Sequence, residues 1–304
     1  MVKKTTALLL AASLLLSACG SKEENHHQPP KITAGDESTM NQSNETPNES
    51  QNTVEAPNKD PNPNEATTTD PTDKNEAETD KNQTKPKEQS PVQPQYHMNK
   101  IYNIVPNDEV TEKKVVLLTF DDGPKDKTMI NNLIDTLDKH DAKAIFFVNG
   151  YRVKQNPELL KLIHDRGQII GNHSWDHIDL RKQNFQETKK QIEDVQKIVM
   201  KTIGEKPKFF RPPFGSGGDD VKNIARDNNL LFMTWSNGSL DWESKSKNNP
   251  DAVINNVMEQ LHPGSNILMH ELPWTVEALD TLLTKLEKKG YSFVDPRNIE
   301  PKMR

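Results

Sequence analysis

Large apolar side chains are missing from the first third of this chain. Between Leu16 and Leu117 there is no Leu, no Phe and no Trp, and all four Trp lie at or after Trp175. A segment of that kind cannot bury enough surface to offset the entropy of ordering it, which excludes a packed core there. The hydrophobic fraction of the 304 residues is 32%, below the roughly 45–50% of an average globular chain. With the shortfall gathered at one end, a single domain of about 200 residues behind a disordered stretch is expected, not two domains. Cysteine is scarce too. The one Cys excludes an internal disulfide and any zinc site built from several thiolates. Net charge is absent from the C-terminal part. Residues 21–99 hold 7 Lys against 15 Asp and Glu, whereas residues 100–304 hold 30 charges of each sign, so the formal −6 belongs to the N-terminal part. The neutral remainder lacks the basic balance of a phosphate-tracking protein, so no nucleic-acid partner is expected. No required protein partner is implied either.

What the N-terminus does contain is an address. Met1-Val2-Lys3-Lys4 is a short positive segment and Ala7 to Leu16 an apolar run. That run is too short to span a bilayer and reads as an export signal. Leu16-Ser17-Ala18-Cys19 resembles the lipobox of bacterial lipoproteins. The resemblance implies removal of residues 1–18 and lipidation of Cys19. Residues 19–99 are then an acidic, disordered linker with Pro57, Pro61, Pro63 and Pro71 and no repeat. A flexible coil of about 75 residues has an r.m.s. span of roughly 50 Å. His26, His27 and His97 read as plain polar residues of that tether. The expected location is the bacterial cell membrane, lipid-anchored and facing the cell wall, with the folded domain at 100–304.

From Val115 onward, short apolar runs alternate with helical patterns. Strands are expected at Val115–Phe120, Ala144–Val148, Ile169–Ile170, Phe209–Phe210, Leu230–Trp235, Ile267–Met269 and Ser292–Val294. Helices are expected at Met129–His140, from Pro157 to a stop at Gly167, at Phe185–Ile203, Asp220–Asn228, Asp251–Leu261 and Trp274–Lys289. Repeated strand–helix units imply an α/β fold with a parallel sheet, and about seven units in this length suit a barrel. Barrel enzymes keep their chemistry on the loops after the strands. The polar clusters fall there: Asp121-Asp122-Gly123-Pro124, His173-Ser174-Trp175-Asp176-His177, Arg211-Pro212-Pro213-Phe214-Gly215, Ser239-Leu240-Asp241-Trp242 and His270-Glu271.

Two imidazoles at i and i+4 can face one ion, and a carboxylate from the Asp pair completes a three-ligand site with open positions. Zinc suits that donor set, with cobalt, nickel or manganese as alternatives. The second carboxylate is then free to act as a base. These five clusters, in this order, resemble the motifs of the polysaccharide deacetylases with a NodB homology domain (carbohydrate esterase family 4). The likeness covers residues 115–295. It implies a distorted (β/α) barrel and metal-dependent removal of acetyl groups from N-acetylated sugars. It also implies roles: Asp122, His173 and His177 as metal ligands, Asp121 as general base, Arg211 as its orienting partner and His270 as general acid tuned by Asp241. The backbone at Phe214 would help bind the oxyanion, Trp242 would wall the groove, and Leu268 would line the acetyl-methyl pocket.

Three positions depart from the family pattern. Gly238 stands where an acidic residue is often found, Glu271 where Asp is usual, and Phe214 where Tyr is frequent. These bear on substrate preference, since no ligand, base or acid is lost. His140, His164 and His262 lie outside the motifs and read as structural. With the tether placing the enzyme at the wall, the expected substrate is acetylated peptidoglycan. Other readings are an exopolysaccharide or chitin-oligomer deacetylase, an O-acetyl esterase, an inactive glycan-binding lipoprotein and a solute-binding lipoprotein.

Overall fold

The structure, a computed structural model, describes residues 93–304. The expected signal segment, Cys19 and the expected linker up to residue 92 lie outside the described residues. Two short strands come first, β1 (Tyr96–Met98) and β2 (Ile104–Pro106). The long strand β3 (Val115–Gly123) leads to helix α1 (Lys127–Lys139), which starts where the Asp126 carboxylate accepts from Met129 N–H. Strand β4 (Ala144–Val148), helices α2 (Gly150–Gln155) and α3 (Pro157–Asp165), and strand β5 (Ile169–Asn172) follow. Helix α4 (Phe185–Ile203) lies between an Asn184 cap, which accepts from Glu187 N–H, and Gly204 in the left-handed region. Next come β6 (Phe209–Phe210), α5 (Asp219–Asp227), β7 (Leu231–Phe232) and β8 (Asn237–Gly238). Then follow α6 (Pro250–Glu259), β9 (Ser265–His270), α7 (Pro273–Lys288), β10 (Ser292–Phe293) and β11 (Ile299–Met303).

The main sheet runs β7-β6-β5-β4-β3-β9-β8, all parallel, with β10 paired to Val115 and Val116 of β3. Helices joining parallel strands curl it into an incomplete barrel. This is the distorted (β/α) barrel expected from the sequence.

Strand β3 shows how the barrel is filled. Its alternate residues Val116, Leu118 and Phe120 pack under the helices with Ile130 and Leu133 of α1 and Leu279 and Leu282 of α7. Val115 and Leu117 fall on the other face, with Ile145 and Phe147 of β4. Thr119 and Asp121 continue that inner row, so apolar filling gives way to polar groups toward the C-terminal end of the strand. At the other end, Tyr96 and Met98 of β1, Ile104 of β2 and Ile299 of β11 join the same inner cluster. The small sheet β11-β1-β2 thus closes the end at which β3 begins.

The folded part therefore starts earlier than the boundary at residue 100. His97, read from sequence as part of the tether, lies in β1 with its Nδ1 2.7 Å from Asn107 Oδ1. Met98 is fully buried, and β1 pairs with both β2 and β11. A chain trimmed to start at residue 100 should be destabilised relative to one starting at residue 93. The loss of one buried Met-sized side chain alone costs about 2–5 kcal/mol. Equal melting temperatures for the two chains in thermal scans would show β1 to be dispensable.

Strand β7 is shorter than the expected Leu230–Trp235. The carbonyl of Thr234 accepts from Arg211 Nε and Nη2 and from Asn266 Nδ2, so it is spent on side chains and not on a strand ladder.

Candidate metal centre and active site

The polar clusters gather at the C-terminal ends of the parallel strands. Asp121 and Asp122 close β3, His173 follows β5, Arg211 follows β6, Asp241 and Trp242 follow β8, and His270 closes β9. Strands β3 and β9 pair in a register that sets Asp121 beside His270. Neighbouring residues of a strand point to opposite faces, yet both carboxylates of the Asp pair reach this end. A register shift between Phe120 and Gly123, with Asp122 at φ 66°, accounts for it. The irregularity re-aims one side chain without moving its neighbour.

Asp122, His173 and His177 each offer one ligand atom, all within 4.8 Å of one another. His177 Nε2 lies 3.1 Å and His173 Nε2 3.4 Å from Asp122 Oδ1. His173 Nδ1 is 2.6 Å from the Arg211 carbonyl, which can only accept. Nδ1 therefore carries a proton, which leaves Nε2 as the nitrogen that faces Asp122 and can ligate an ion. Asp122 Oδ1 is buried and receives no hydrogen bond. A buried carboxylate oxygen set against two ring nitrogens, with no well-formed hydrogen bond from either, stands where a cation would satisfy all three. The three residues fit a divalent ion. Burial pushes the Asp122 carboxyl up, but the imidazoles of His173 and His177 outweigh this and hold it well below the usual carboxylate range.

Arg211 is fully buried and fixes the neighbouring carboxylate. Its Nη1 donates to Asp121 Oδ1 at 2.7 Å and to Thr119 Oγ1 at 2.8 Å, and Nη2 donates to Asn266 Oδ1 at 3.1 Å. Burial lowers the guanidinium pKa, and the Asp121 charge opposes that shift. The other oxygen, Asp121 Oδ2, faces His173 Nε2 at 3.7 Å. Asp121 is thus an acceptor held beside the ligand cluster but anchored from behind by a charge-assisted hydrogen bond.

His270 has its own partner. Its Nδ1 is 2.7 Å from Asp241 Oδ1, while its backbone N–H and the Thr275 hydroxyl both donate to Asp241 Oδ2 at 2.7 Å. Burial lowers the His270 pKa, but the hydrogen bond and charge of Asp241, helped by Asp121 and Asp122, raise it overall. The arrangement sets an imidazole with a raised pKa beside the Asp121 carboxylate and the Asp122-His173-His177 cluster.

A family model described as polysaccharide deacetylase matches residues 108–233. A peptidoglycan-N-acetylglucosamine deacetylase of Bacillus cereus is 37% identical over 187 residues, 60% of this chain and 66% of that protein. The peptidoglycan-N-acetylmuramic acid deacetylase PdaC of Bacillus subtilis is 35% identical over 221 residues, 72% of this chain and 45% of that protein. The solved structure of PdaC superposes with a TM-score of 0.55 at 35% identity, covering 60% of this chain and 88% of that one. This chain belongs to the polysaccharide deacetylases. It spans under two thirds of the length of each of the two curated relatives. A CE4 family pseudoenzyme from Bacillus anthracis has a TM-score of 0.57 at 35% identity, covering 60% of this chain and 63% of that one. Polysaccharide deacetylases are in general metal-dependent, and the Asp-His-His cluster is the candidate site here.

Around this candidate site the remaining expected residues take definite places. Phe214 is 67% exposed, at φ 59°, and its ring meets His177 edge-on at 4.8 Å. Trp242 is exposed and packs against the His270 ring at 5.3 Å. Leu268 is buried two residues before His270, on the same face of β9. Of the three histidines outside the motifs, His140 bridges Asp280 and Glu287 of α7, and His262 Nδ1 lies 3.1 Å from the Pro263 carbonyl. Neither joins the site.

Sequence reasoning missed the supports. Thr119, Asn266, Thr275 and the Thr234 carbonyl hold the residues that face the cleft, and only their burial in three dimensions reveals them. Glu271, standing where the family pattern usually has Asp, takes a place that the sequence does not reveal. It is buried, its carboxyl is pushed up to about 7 chiefly by burial, and its Oε2 accepts from Lys125 N–H at 2.8 Å. A Cβ on Gly123 would stand 2.0 Å from Glu271 Oε1, so the Asp-Asp-Gly-Pro turn needs glycine there to accept this carboxyl.

Proposed function

We propose that this protein is a metal-dependent N-deacetylase of cell-wall glycan, acting on peptidoglycan amino sugars from a lipid anchor at Cys19. The observation that carries the reading is the unpartnered, buried Asp122 Oδ1 facing His173 and His177, with Asp121 beside it. The peptidoglycan deacetylases among its relatives favour the wall as substrate. The lipobox-like Leu16-Ser17-Ala18-Cys19 favours the anchor. The complete set of ligands, base and acid disfavours an inactive glycan binder.

A divalent transition ion, zinc or else cobalt, nickel or manganese, would be held by Asp122, His173 and His177 and would supply Lewis acidity toward an acetamide carbonyl and toward water. Asp121 takes the proton of the water that attacks the carbonyl carbon, and Arg211 keeps it ionised and aimed. The backbone at Phe214 steadies the oxygen that becomes negative, and Leu268 receives the acetyl methyl. His270 delivers a proton to the departing nitrogen. Trp242 walls the groove.

The reading is tested by mass spectrometry of acetate and free-amine release from peptidoglycan, chitin and acetyl-xylan oligomers. Release from none of the N-acetylated glycans would end it. The anchor is tested by Cys19→Ser, which should move the protein from the membrane fraction to the medium; an unchanged distribution would exclude lipidation as the tether.

The acid role predicts a split between substrates. An amide nitrogen is a very poor leaving group until protonated, whereas an activated ester expels its oxygen readily. His270→Ala should lower kcat/KM on an N-acetyl glycan about 10²-fold and spare much of the activity on an activated acetyl ester. Asp241→Asn removes the group that raises the His270 pKa, so the alkaline limb of the N-deacetylation profile should move to lower pH. Equal losses on both substrates, measured across pH, would give His270 a binding role instead.

A further inference from the structure

Beside His270 a cleft of about 320 Å³ is walled by Trp242 and Trp274 and bordered by Lys125, Lys247 and Glu243. Its charges do not cancel. Glu243 is already paired, with Lys245 Nζ 3.2 Å from its carboxylate. Among the described residues, neither Lys125 nor Lys247 has a carboxylate oxygen within the 4.0 Å of an ion pair. Asp122, the other acid at the cleft, belongs to the metal site. Lys125 and Lys247 therefore border the space next to His270 with no carboxylate at ion-pair distance, Lys125 having only the longer-range influence of the buried Glu271 carboxyl.

Lys125 is not a freely placed surface residue. Its backbone N–H is held by the buried Glu271 carboxyl, and it is itself half-buried between the Asp-Asp-Gly-Pro turn and the start of α1. Glu271 thus fixes where this lysine leaves the chain. Trp274 is fixed as well, by Nε1–H donation to the Asp241 carbonyl at 2.8 Å. Indole walls suit the apolar faces of a sugar ring, and the two ammonium groups suit an anion on it.

We infer that this cleft recognises a carboxylate carried by the glycan beside the acetamide that is cleaved. The preferred substrate class is then an acidic N-acetylated polysaccharide and not a neutral chitin-like chain. The inference rests on the deacetylase reading and sharpens it. A lactyl ether on the amino sugar, a uronic acid neighbour or a peptide stem would each supply the same group. Two partly exposed ion pairs together are worth about tenfold in kcat/KM.

The test uses full-length protein and four glycans: a stem-free peptidoglycan tetrasaccharide with free lactyl carboxylates, the same molecule with those carboxylates amidated, a stem-bearing counterpart of the amidated one, and an oligomer alternating N-acetylglucosamine with a uronic acid. The readout is the ratio of kcat/KM for each carboxylate-bearing glycan to that for the amidated, stem-free tetrasaccharide. A ratio of about ten on at least one acidic glycan, falling toward one in Lys125→Met/Lys247→Met and with added salt, is the expected result. The glycan that shows it identifies the source of the carboxylate. Ratios near one throughout, or a ratio unchanged in the double variant and in both single variants, would overturn the inference while leaving the deacetylase reading standing. Turnover of none of the glycans would instead overturn the deacetylase reading; the same ratios, taken as affinities by calorimetry, then decide the cleft.

Discussion

Replacing His173 with Ala should strip the protein of its divalent ion and drop deacetylation to the level of chelator-treated wild type. Affinity for the ion should fall by more than the 10–100-fold typical of losing a residue that merely supports a ligand. The expectation follows from the way Nε2 is presented. The Arg211 carbonyl takes the Nδ1 proton at 2.6 Å, which fixes both tautomer and ring plane. His177→Ala should act in the same direction, because Asp122 Oδ1 would then face one imidazole where it now faces two. Elemental analysis reads the effect directly. Adding back zinc, cobalt or manganese after chelation should restore wild type and neither variant. Equal metal content in all three proteins would place the ion elsewhere.

Asp121→Asn should keep the ion and lose about 10³-fold in turnover, within the range for removal of a general base. Asn is isosteric and can still accept from Arg211 Nη1, so the ligand cluster beside it is left intact. What disappears is the proton acceptor. The change also leaves the buried Arg211 charge without its carboxylate, and breaking a buried pair costs about 3–5 kcal/mol. The retained bonds from Arg211 to Thr119, Asn266 and the Thr234 carbonyl soften that loss. Melting temperature, metal content and single-turnover rate measured together separate these effects. Asp122→Asn should differ by losing metal as well. Near-normal turnover of Asp121→Asn at neutral pH would move the base role to another group.

The parts of this molecule that sequence displays are those decided locally. Helix α4 is bracketed by Asn184 and Gly204, and its apolar stripe has one period throughout, so its limits are visible in the letters. The motifs stand at strand ends because buried β-branched and aromatic runs stop abruptly at polar residues. Other parts are decided by distant partners. Strand β1 is three residues long and is held between β2, equally short, and β11, about two hundred residues away, so nothing in Tyr96–Met98 alone marks it as sheet. Helix α2 is a six-residue piece with only Gly150 and Val153 buried, too short to show a period. The irregularity at Asp122 is the most consequential omission. By strand alternation Asp121 and Asp122 belong on opposite faces, and only the backbone at φ 66° brings them together. Positive φ recurs at Ser174, His177, Phe214 and Leu240. Each is a non-glycine residue in a loop of the site, held there by surroundings that a linear pattern does not contain.

Arg211 serves two centres with two different parts of itself. Its main-chain carbonyl aligns the His173 ring, while its guanidinium aligns the Asp121 carboxylate. Substitution can reach only one of these. A lysine at position 211 would leave the carbonyl in place but replace a planar fork with a single flexible ammonium. The ion would stay bound while the acceptor beside it lost its aim. Drift at this position therefore has a built-in direction, toward a protein that still carries its metal and still holds glycan but has fallen chemically silent, before it moves toward one that has lost its cation.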